Sequence, residues 1–573
     1  MKIQRYLCYI LLITALLCSS CEEVLDTKID ANYSAEDVWK DRDFTMGILA
    51  DGYDNLPTFY NVFSGAFLDC ATDNAVTSDY TSSIIDFAGG SWNSESSVLD
   101  SWEDCYTQIR NMNLFLEKAP DVEFSVKPNT NEVIRKRVKG EALFLRAYYE
   151  SELLFRFSGM TADNKLMGFP IVTEVLPEGV NNLVARSEFD ACVDQIYNDI
   201  DNALLYLPEK YAGNDPELGT SKIGRATIPI ALCLKSRVAL YAASPIYTVN
   251  KNDEQKKLLW EKAATAAMNA INATGTSLPD LSAAMYENPD HAEIIWRSFQ
   301  GATNTPEKNN FIPQLMGKGY TNPSQQLVDA FPAKTGYPIT DQRSGYDQNA
   351  PYSNRDTRFS LSILYNGATF SGKTVEVFAG GLDNELSRST ATRTGYYLRK
   401  FLSESVTFVP GVAATTAKHY YALFRKAEIW LNYAEAANEA WGPSSDPKGL
   451  GKDALTTLKA IRKRGGIPVA DPYATEQALA GKETFRSLIQ NERRIELCFE
   501  NQRFFDIRRW ALPLNSLNEP VKGVTVTKNG STFTYNFGVN IENRNFKDYM
   551  YYGPIPASEI QSANGIVKQN KGW

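Results

Sequence analysis

The chain has 573 residues, with 59 lysines and arginines against 68 aspartates and glutamates, a formal net charge of −9 at pH 7. This length allows one large or two to three ordinary domains, because single cores rarely exceed roughly 250 to 300 residues. The acidic balance and the lack of any basic run argue against nucleic acid as a partner.

The N-terminal segment predicts export and lipid anchoring. Lys2 and Arg5 precede a short apolar run that ends in small residues, a pattern typical of a secretory signal peptide over residues 1–20. The run is far shorter than the ~20 residues that span a bilayer. Cys21 follows directly, where bacterial lipoproteins carry their acylated cysteine, so residues 21–33 are predicted to be a lipid-anchored tether. Simple cleavage beside an unmodified cysteine is the alternative.

The other cysteines and the histidines predict neither a disulfide framework nor a metal site. The cysteines are odd in number, widely scattered and never spaced as C-x-x-C, and the histidines lie outside any H-E-x-x-H frame. We therefore expect the cysteines to be small buried hydrophobic residues and expect no cofactor. The residues concerned are Cys70, Cys105, Cys192, Cys233, Cys498, His291 and His419.

Apolar residues recur every three or four positions through much of the predicted N-terminal region, residues 34–285. This spacing predicts amphipathic helices, and helix pairs that cannot bury their faces alone stack as a helical solenoid. Gly140 lies in the longest helix, and because glycine weakens an isolated helix we expect another element to approach closely there. The predicted helices are residues 132–157, 187–207, 228–243 and 260–272.

The predicted C-terminal region, residues 286–573, changes in texture along its length. About 286–416 is rich in Asn, Gly, Pro, Ser and Tyr, with short β-prone runs at 293–299 and 359–365, and is predicted to be an irregular lobe. Helical periodicity returns between 421 and 510, and short strands are predicted in the tail. The predicted helices of this region are residues 421–441, 452–464 and 484–501.

One catalytic pattern is present, but its context does not fit. Residues 367–374 have the spacing of a phosphate-binding P-loop, whereas residues 375–378 alternate like a strand and do not begin a helix that could hold phosphate. We therefore predict no nucleotide site. No histidine-dependent hydrolase motif is evident, although the many acidic residues leave a carboxylate-pair glycoside hydrolase open.

The densest cluster of charge lies in residues 491–510. Glu492, Glu496 and Glu500 are spaced four apart, so on one helix they would place three like charges on a single face. Cations must therefore lie nearby, and the segment contains several arginines, which pair well with carboxylates. We predict a structural ion network that holds the last helices, in preference to a metal or catalytic acid cluster.

The same segment closely resembles the C-terminal signature of the SusD/RagB family. Glu22 and Glu23, directly after Cys21, resemble the acidic tag that sends lipoproteins of Bacteroidetes-type bacteria to the outer face. Other stretches resemble the family's motifs in the same order along the chain. They are residues 102–113, 139–149, 426–439, 458–465 and 553–573.

This resemblance implies a mainly α fold, a tetratricopeptide-like α/α superhelix carrying a loop-rich mixed α/β lobe. It implies a cell-surface lipoprotein of the outer membrane that binds oligosaccharide or polysaccharide and delivers it to a SusC-like TonB-dependent transporter, without catalysis. Some members of the family capture peptides, so oligopeptide binding is one alternative. A surface glycoside hydrolase is a second, less favoured one.

Aromatic residues in polar loops are the candidate ligand contacts, because sugar rings stack on aromatic faces while amides and carboxylates bind the hydroxyls. Trp92 is the first choice. Tyr80 and Asn93 lie in the same polar loop before the 102–113 helix.

The lobe contains further candidates. Phe311 and Tyr320 flank a Gly-Lys-Gly turn, and Trp296 lies at the end of a predicted strand, where a tryptophan is more often buried. Tyr346 and Tyr352 are additional options in the next loop.

Overall fold

The computed structural model describes residues 35–60, 65–177, 183–282, 284–384 and 391–573. The predicted signal peptide, Cys21 and the tether lie outside the described residues. The boundary predicted between residues 285 and 286 stays a prediction. The fold is described from α1 onward.

The described chain is mainly α-helical, as the sequence predicts. Long helices fill the first half and return after the lobe. The helices are α1 (Ala35–Lys40), α2 (Arg42–Asp54), α3 (Ser83–Asp86), α4 (Trp102–Lys118), α5 (Pro128–Phe157), α6 (Phe189–Leu204), α7 (Ile228–Ala243), α8 (Asp253–Thr274), α9 (Ala284–Glu287), α10 (Thr305–Asn310), α11 (Gln325–Ala330), α12 (Thr357–Ser362), α13 (Lys426–Trp441), α14 (Ala454–Arg464), α15 (Pro472–Ala480), α16 (Lys482–Glu496), α17 (Arg503–Arg509), α18 (Leu514–Leu517) and α19 (Ala557–Ser562).

The strands form antiparallel pairs. β1 pairs with β5, β2 with β3, β4 with β10, β6 with β9, β7 with β8 and β11 with β12. The strands are β1 (Ala75–Thr77), β2 (Gly159–Met160), β3 (Leu166–Met167), β4 (Ile294–Thr303), β5 (Thr321–Pro323), β6 (Ile363–Leu364), β7 (Thr369–Phe370), β8 (Lys373–Thr374), β9 (Tyr397–Leu398), β10 (Ala417–Arg425), β11 (Val521–Asn529) and β12 (Thr532–Glu542).

The long helices pack as consecutive neighbours. α4 packs on α5, α5 on α6, α6 on α7 and α7 on α8, and α13 packs on α8 and continues the stack to α14 and α16. Their inner faces share one core, which contains Leu145, Ile196, Leu234 and Leu431. This arrangement confirms the predicted superhelical scaffold. A second buried cluster, around Phe67, Phe331 and Tyr397, joins the lobe to the tail.

Gly140 lies where the turn after α6 crosses α5. A Cβ atom built on Gly140 would lie 3.0 Å from the Cβ of Tyr206 and 3.1 Å from the Cγ of Leu207. The predicted close approach is confirmed, and the approaching element is the turn that follows α6.

The sequence patterns assign two runs of residues to the wrong kind of regular structure, and the helix predicted at residues 484–501 ends earlier, at Glu496. Residues 421–425, predicted to begin a helix, belong to β10, where Tyr421 pairs with Ser298 of β4. Residues 359–362, predicted to be a strand, lie in α12, which the Asp356 side chain caps by accepting a hydrogen bond from the Arg358 amide. Both runs are too short for periodicity to separate helix from strand. Pairing with a distant strand fixed the first structure, and a helix cap fixed the second.

The glutamates of the 491–510 segment lie in a buried ion network, as predicted. Glu492 pairs with Arg358 at 2.6 Å and with Arg462 at 3.1 Å. Glu496 and Glu500 pair with Arg358, Arg425, Arg464 and Lys400 at distances between 2.6 and 2.8 Å. α16 ends at Glu496, so Glu500 lies in the following turn and not on the same helix face.

A buried carboxyl group on α5 makes stability depend on pH. Glu150 is 0% exposed. Burial first, and then the neighbouring Asp199 carboxylate, raise the pKa of Glu150 well above its usual range, and the Arg146 cation opposes them. In the unfolded chain the pKa is about 4.3. The protonated Glu150 carboxyl therefore makes its full contribution to stability below the unfolded pKa. That contribution is lost as pH rises through the folded pKa.

Replacing this group should remove that dependence. We expect Glu150→Gln to stabilise the protein by about 1 kcal/mol at pH 8, with the gain disappearing towards pH 4, because glutamine stays neutral throughout. Urea denaturation at several pH values measures the difference. A variant that loses stability equally at pH 4 and pH 8 would contradict a protonated Glu150.

The five described cysteines are free and buried, which confirms their predicted role as small hydrophobic residues. Among the described residues, no helix combines the length and apolar character needed to cross a bilayer. The same part of the chain contains no His/Cys/Asp/Glu group arranged to hold a metal ion.

Candidate functional site

Trp92, the first choice from the sequence, is not exposed. The side chain is 5% exposed, and its ring lies 4.7 Å from Phe87 and 4.8 Å from Trp573 between ring centres. The indole N–H donates to the Ser97 hydroxyl at 2.9 Å. Its predicted availability for stacking is therefore wrong, because the C-terminal residue of the chain covers the ring.

Trp92 should contribute to stability and not to ligand affinity. We expect Trp92→Phe to lower the free energy of unfolding by about 1–2 kcal/mol, since it removes the hydrogen bond to Ser97 and leaves unfilled volume. Glycan affinity should be unchanged. Urea denaturation measures the stability and calorimetric titration measures the affinity. Reduced affinity with unchanged stability would show that Trp92 belongs to the binding site.

Two of the lobe candidates are also buried. Phe311 is 1% exposed and packs its ring edge-on to Phe370 at 5.3 Å. Trp296 is 1% exposed and its indole N–H donates to the Gly224 carbonyl at 2.8 Å. Phe311 packs within the lobe, and Trp296 packs on α5 of the scaffold. Neither ring is available to a ligand from solvent.

Asn93 is exposed, but its side chain is used within the loop. Its Oδ1 accepts the amides of Glu95 and Ser96, both at 2.9 Å, and its Nδ2 donates to the Ser91 carbonyl. Asn93 therefore shapes the loop around Trp92. A ligand contact from this side chain stays a prediction.

Tyr80 and Tyr320, distant in sequence, are brought to the same end of the β1–β5 ladder. Thr77 pairs with Thr321, and the amide of the next residue, Ser78, donates to the Tyr320 carbonyl at 3.1 Å. The Ser78 hydroxyl donates to Gly319. Tyr80 lies two residues beyond Ser78 and is 71% exposed, whereas Tyr320 is half-buried. The structure thus brings the backbones of two of the predicted aromatics to the same end of this ladder.

The Tyr80 turn is fixed by short-range hydrogen bonds. The Asp79 carboxylate accepts the amide of Thr81 at 3.0 Å and its hydroxyl at 2.6 Å, and the Thr77 hydroxyl accepts the Asp79 amide. Such side-chain turns pre-set the backbone. Tyr80 is therefore presented on an ordered turn, which reduces the entropy lost when a ligand binds.

Arginine 393 lies beneath the Tyr80 ring. The Arg393 guanidinium carbon is 5.1 Å from the ring centre, within cation–π range. Its Nη1 donates to the Thr77 carbonyl at 2.9 Å and to the Glu542 carboxylate at 2.6 Å. Glu542 also pairs with Arg544. This chain of contacts ties the exposed ring to β1 and to the end of β12.

Tyr320 has a cationic neighbour of its own. Lys318 Nζ lies 5.0 Å from the Tyr320 ring centre. The turn that carries both needs glycine at Gly317, because a Cβ atom there would lie 2.2 Å from the Phe311 carbonyl oxygen. We call Tyr80, Tyr320, Lys318, Arg393 and Glu542 the tyrosine surface.

Sequence analysis missed the charged half of the tyrosine surface. Arg393, Lys318 and Glu542 carry no motif, and Arg393 reaches Thr77 only because the chain folds 316 residues back on itself. The chemistry that results is an exposed aromatic face beside cationic donors and one carboxylate. That combination is suited to binding a hydroxylated ring.

The residues with P-loop spacing lie in a short hairpin, and no strand follows at residues 375–377. The hairpin consists of β7 and β8, so Lys373 and Thr374 lie on a strand and not at a helix N-terminus. Without a helix N-terminus the segment lacks the aligned amides that hold a phosphate.

Comparison with known proteins identifies the fold family. Residues 292–573 match the model described as SusD family, and residues 48–226 match the model described as starch-binding associating with outer membrane. SusD-like protein P25 of Formosa agariphila is 21% identical over 597 aligned positions, which cover 98% of this chain and 97% of that protein.

Solved structures agree over nearly the whole length. A SusD-like protein of Bacteroides fragilis is 25% identical with a TM-score of 0.74, covering 94% of this chain and 99% of that chain. A second protein of that organism, described as a SusD-like carbohydrate binding protein, is 21% identical with a TM-score of 0.68, covering 92% and 99%. Matching models in both halves, on a superhelical scaffold shared with these structures, show that the chain belongs to the SusD/RagB family.

Proposed function

We propose that this protein is a cell-surface lipoprotein that binds oligosaccharide or polysaccharide and delivers it to a SusC-like TonB-dependent transporter. The observation that carries the glycan assignment is the exposed Tyr80 ring, held over Arg393 at the end of the ladder that also carries Tyr320. Aromatic faces with nearby hydrogen-bonding groups suit sugar rings. Family membership supports this, since one solved relative is described as carbohydrate binding.

The location follows from the anchor predicted at Cys21. Several acyl chains on one terminus hold a protein stably on a membrane, because each buried methylene contributes about 0.8 kcal/mol. The description of the matching N-terminal family model, associating with outer membrane, supports the same location. Mass spectrometry of the N-terminal peptide from membranes tests it, and a soluble, unacylated mature protein would refute it.

Binding without cleavage is the favoured activity. A glycosidase needs two carboxyl groups placed on either side of the scissile bond. At the tyrosine surface, Glu542 is held by Arg393 and Arg544, and Asp79 holds the Thr81 turn. These acids support the surface and are not left as a poised acid–base pair.

A panel of polysaccharides and mixed peptides tests the function. We expect the purified protein to bind at least one polysaccharide in affinity electrophoresis, to leave its chain length unchanged after long incubation, and to co-purify with a TonB-dependent transporter from outer membranes. Shortened products would favour the hydrolase. A melting temperature raised by peptides and by none of the polysaccharides would favour peptide capture.

A further inference from the structure

An open groove lies between α11, the loop of residues 339–348 and β12. Its volume is about 530 Å³. This is within the range of ligand sites, roughly 300 to 1,000 Å³. Its walls are mostly polar, with two aromatic side chains. The residues that matter for binding are Asp329, Gln342, Tyr346, Gln348 and Phe537.

Several polar groups of the groove retain hydrogen-bonding capacity. Asp329 accepts one bond, at Oδ1 from Gln325 Nε2 at 2.7 Å, and its Oδ2 has no protein donor among the described residues. Within the same described residues, the side-chain amides of Gln342 and Gln348 and the Tyr346 hydroxyl also make no hydrogen bond to protein. Such groups are the ones that bind sugar hydroxyls without breaking an existing contact.

The groove has two aromatic faces. Tyr346 is half-buried, with the Arg355 guanidinium carbon 5.7 Å from its ring centre. Phe537 is also half-buried and stacks on Tyr535, with ring centres 5.8 Å apart and planes inclined by 8°. Rings held rigidly by their neighbours bind with little loss of entropy. The groove thus repeats the aromatic and polar combination of the tyrosine surface.

The two places are joined by β12. Glu542 at one end of this strand binds Arg393 of the tyrosine surface, and Phe537, five residues back along the strand, lines the groove. At about 3.3 Å per residue, the two points are roughly 15 Å apart. Phe537 and Glu542 pair with β11 residues three positions apart and so stand on opposite faces of the hairpin, and only a long chain that passes around β12 reaches both places.

We propose that this groove is a second carbohydrate subsite, which together with the tyrosine surface selects long, neutral polysaccharides. The proposal rests on the glycan-binding function given above. Length selectivity follows because a polymer held at one subsite meets the other at a high effective concentration. Neutral sugars are favoured because the Asp329 carboxylate lines the groove without a cationic partner in its hydrogen bonds and would repel uronate or sulfate groups, whereas Asp341 is paired with Arg343.

The experiment compares three proteins by calorimetric titration. They are the wild type, the double variant Tyr346→Ala/Phe537→Ala, and the control Tyr206→Ala, which removes a half-buried tyrosine next to Gly140 on the scaffold. The probes are neutral glucans, mannans, xylans and galactans, polygalacturonate, a sulfated galactan, and the trisaccharide of each glycan that binds.

We expect the wild type and the control to bind two trisaccharides per chain and the double variant to bind one. Polymer affinity of the double variant should fall at least tenfold relative to the control. Should the double variant unfold early, Gln342→Ala/Gln348→Ala, which changes only exposed side chains, should lower polymer affinity at least threefold.

Different outcomes refute different claims. A wild type that binds a polymer, with a stoichiometry and affinity that the groove variants leave unchanged, overturns the second subsite and leaves the proposed function intact. Binding only of polygalacturonate or sulfated galactan overturns the preference for neutral chains. A wild type that binds none of these glycans refutes the proposed function itself.

Discussion

Replacing Arg425 with methionine is expected to lower the free energy of unfolding by about 3–5 kcal/mol, the cost of removing one partner from a buried ion pair. Arg425 is 3% exposed and donates to the side chains of Glu293, Glu496 and Glu500 at 2.7 to 3.0 Å. Without it, Lys400 is the one cationic partner that Glu500 keeps among the described residues.

The pH dependence of this loss reveals its cause. Burial alone would raise the pKa of Glu496, but the Arg464, Arg425 and Arg358 cations outweigh it and hold the pKa well below its usual range. A carboxylate with a depressed pKa contributes stability above its unfolded pKa, about 4.3, that is lost as pH falls through the folded value. The penalty of Arg425→Met should therefore be largest near pH 7 and shrink in acid.

An exposed arginine provides the control for this variant. Arg343 pairs with Asp341 and Glu476, but its side chain is 54% exposed, so solvent screens both pairs. Arg343→Met should leave the urea midpoint nearly unchanged. If Arg425→Met also left it unchanged, the network would contribute nothing to the stability of the scaffold.

Local sequence patterns predicted the scaffold well for a physical reason. The helix predicted at residues 228–243 agrees with α7 at both ends, because a buried helix face repeats within a few residues and Pro245 follows its end. The ion network was predictable in part. Glu492 and Glu496 do share a helix face and need cations nearby, but Glu500 joins the network from the turn after α16.

The candidate site was less predictable because long-range contacts decide exposure. Trp92 and Tyr80 lie in similar polar loops, yet Trp92 is covered by Trp573 and Tyr80 stays 71% exposed. Arg393 is brought beneath Tyr80 by its bonds to Thr77 and Glu542. Neither the packing of Trp573 on Trp92 nor the position of Arg393 under Tyr80 can be predicted from the residues adjacent in sequence.

Truncation of Tyr80 is expected to lower glycan affinity at least thirtyfold, about 2 kcal/mol, the loss typical of an aromatic side chain at the centre of a binding surface. Because the ring is 71% exposed, Tyr80→Ala should change the free energy of unfolding by no more than about 0.5 kcal/mol. Calorimetric titration with a bound polysaccharide and urea denaturation measure the two effects separately.

Two further variants identify what the ring contributes. Tyr80→Phe keeps the aromatic face over Arg393 and should lose less than threefold in affinity, whereas loss equal to that of alanine would mean that the hydroxyl and not the face binds sugar. Tyr206→Ala, on the scaffold, should bind as the wild type does. If Tyr80→Ala also binds as the wild type does, the tyrosine surface is not the glycan site, because no other exposed aromatic face lies over Arg393 among the described residues.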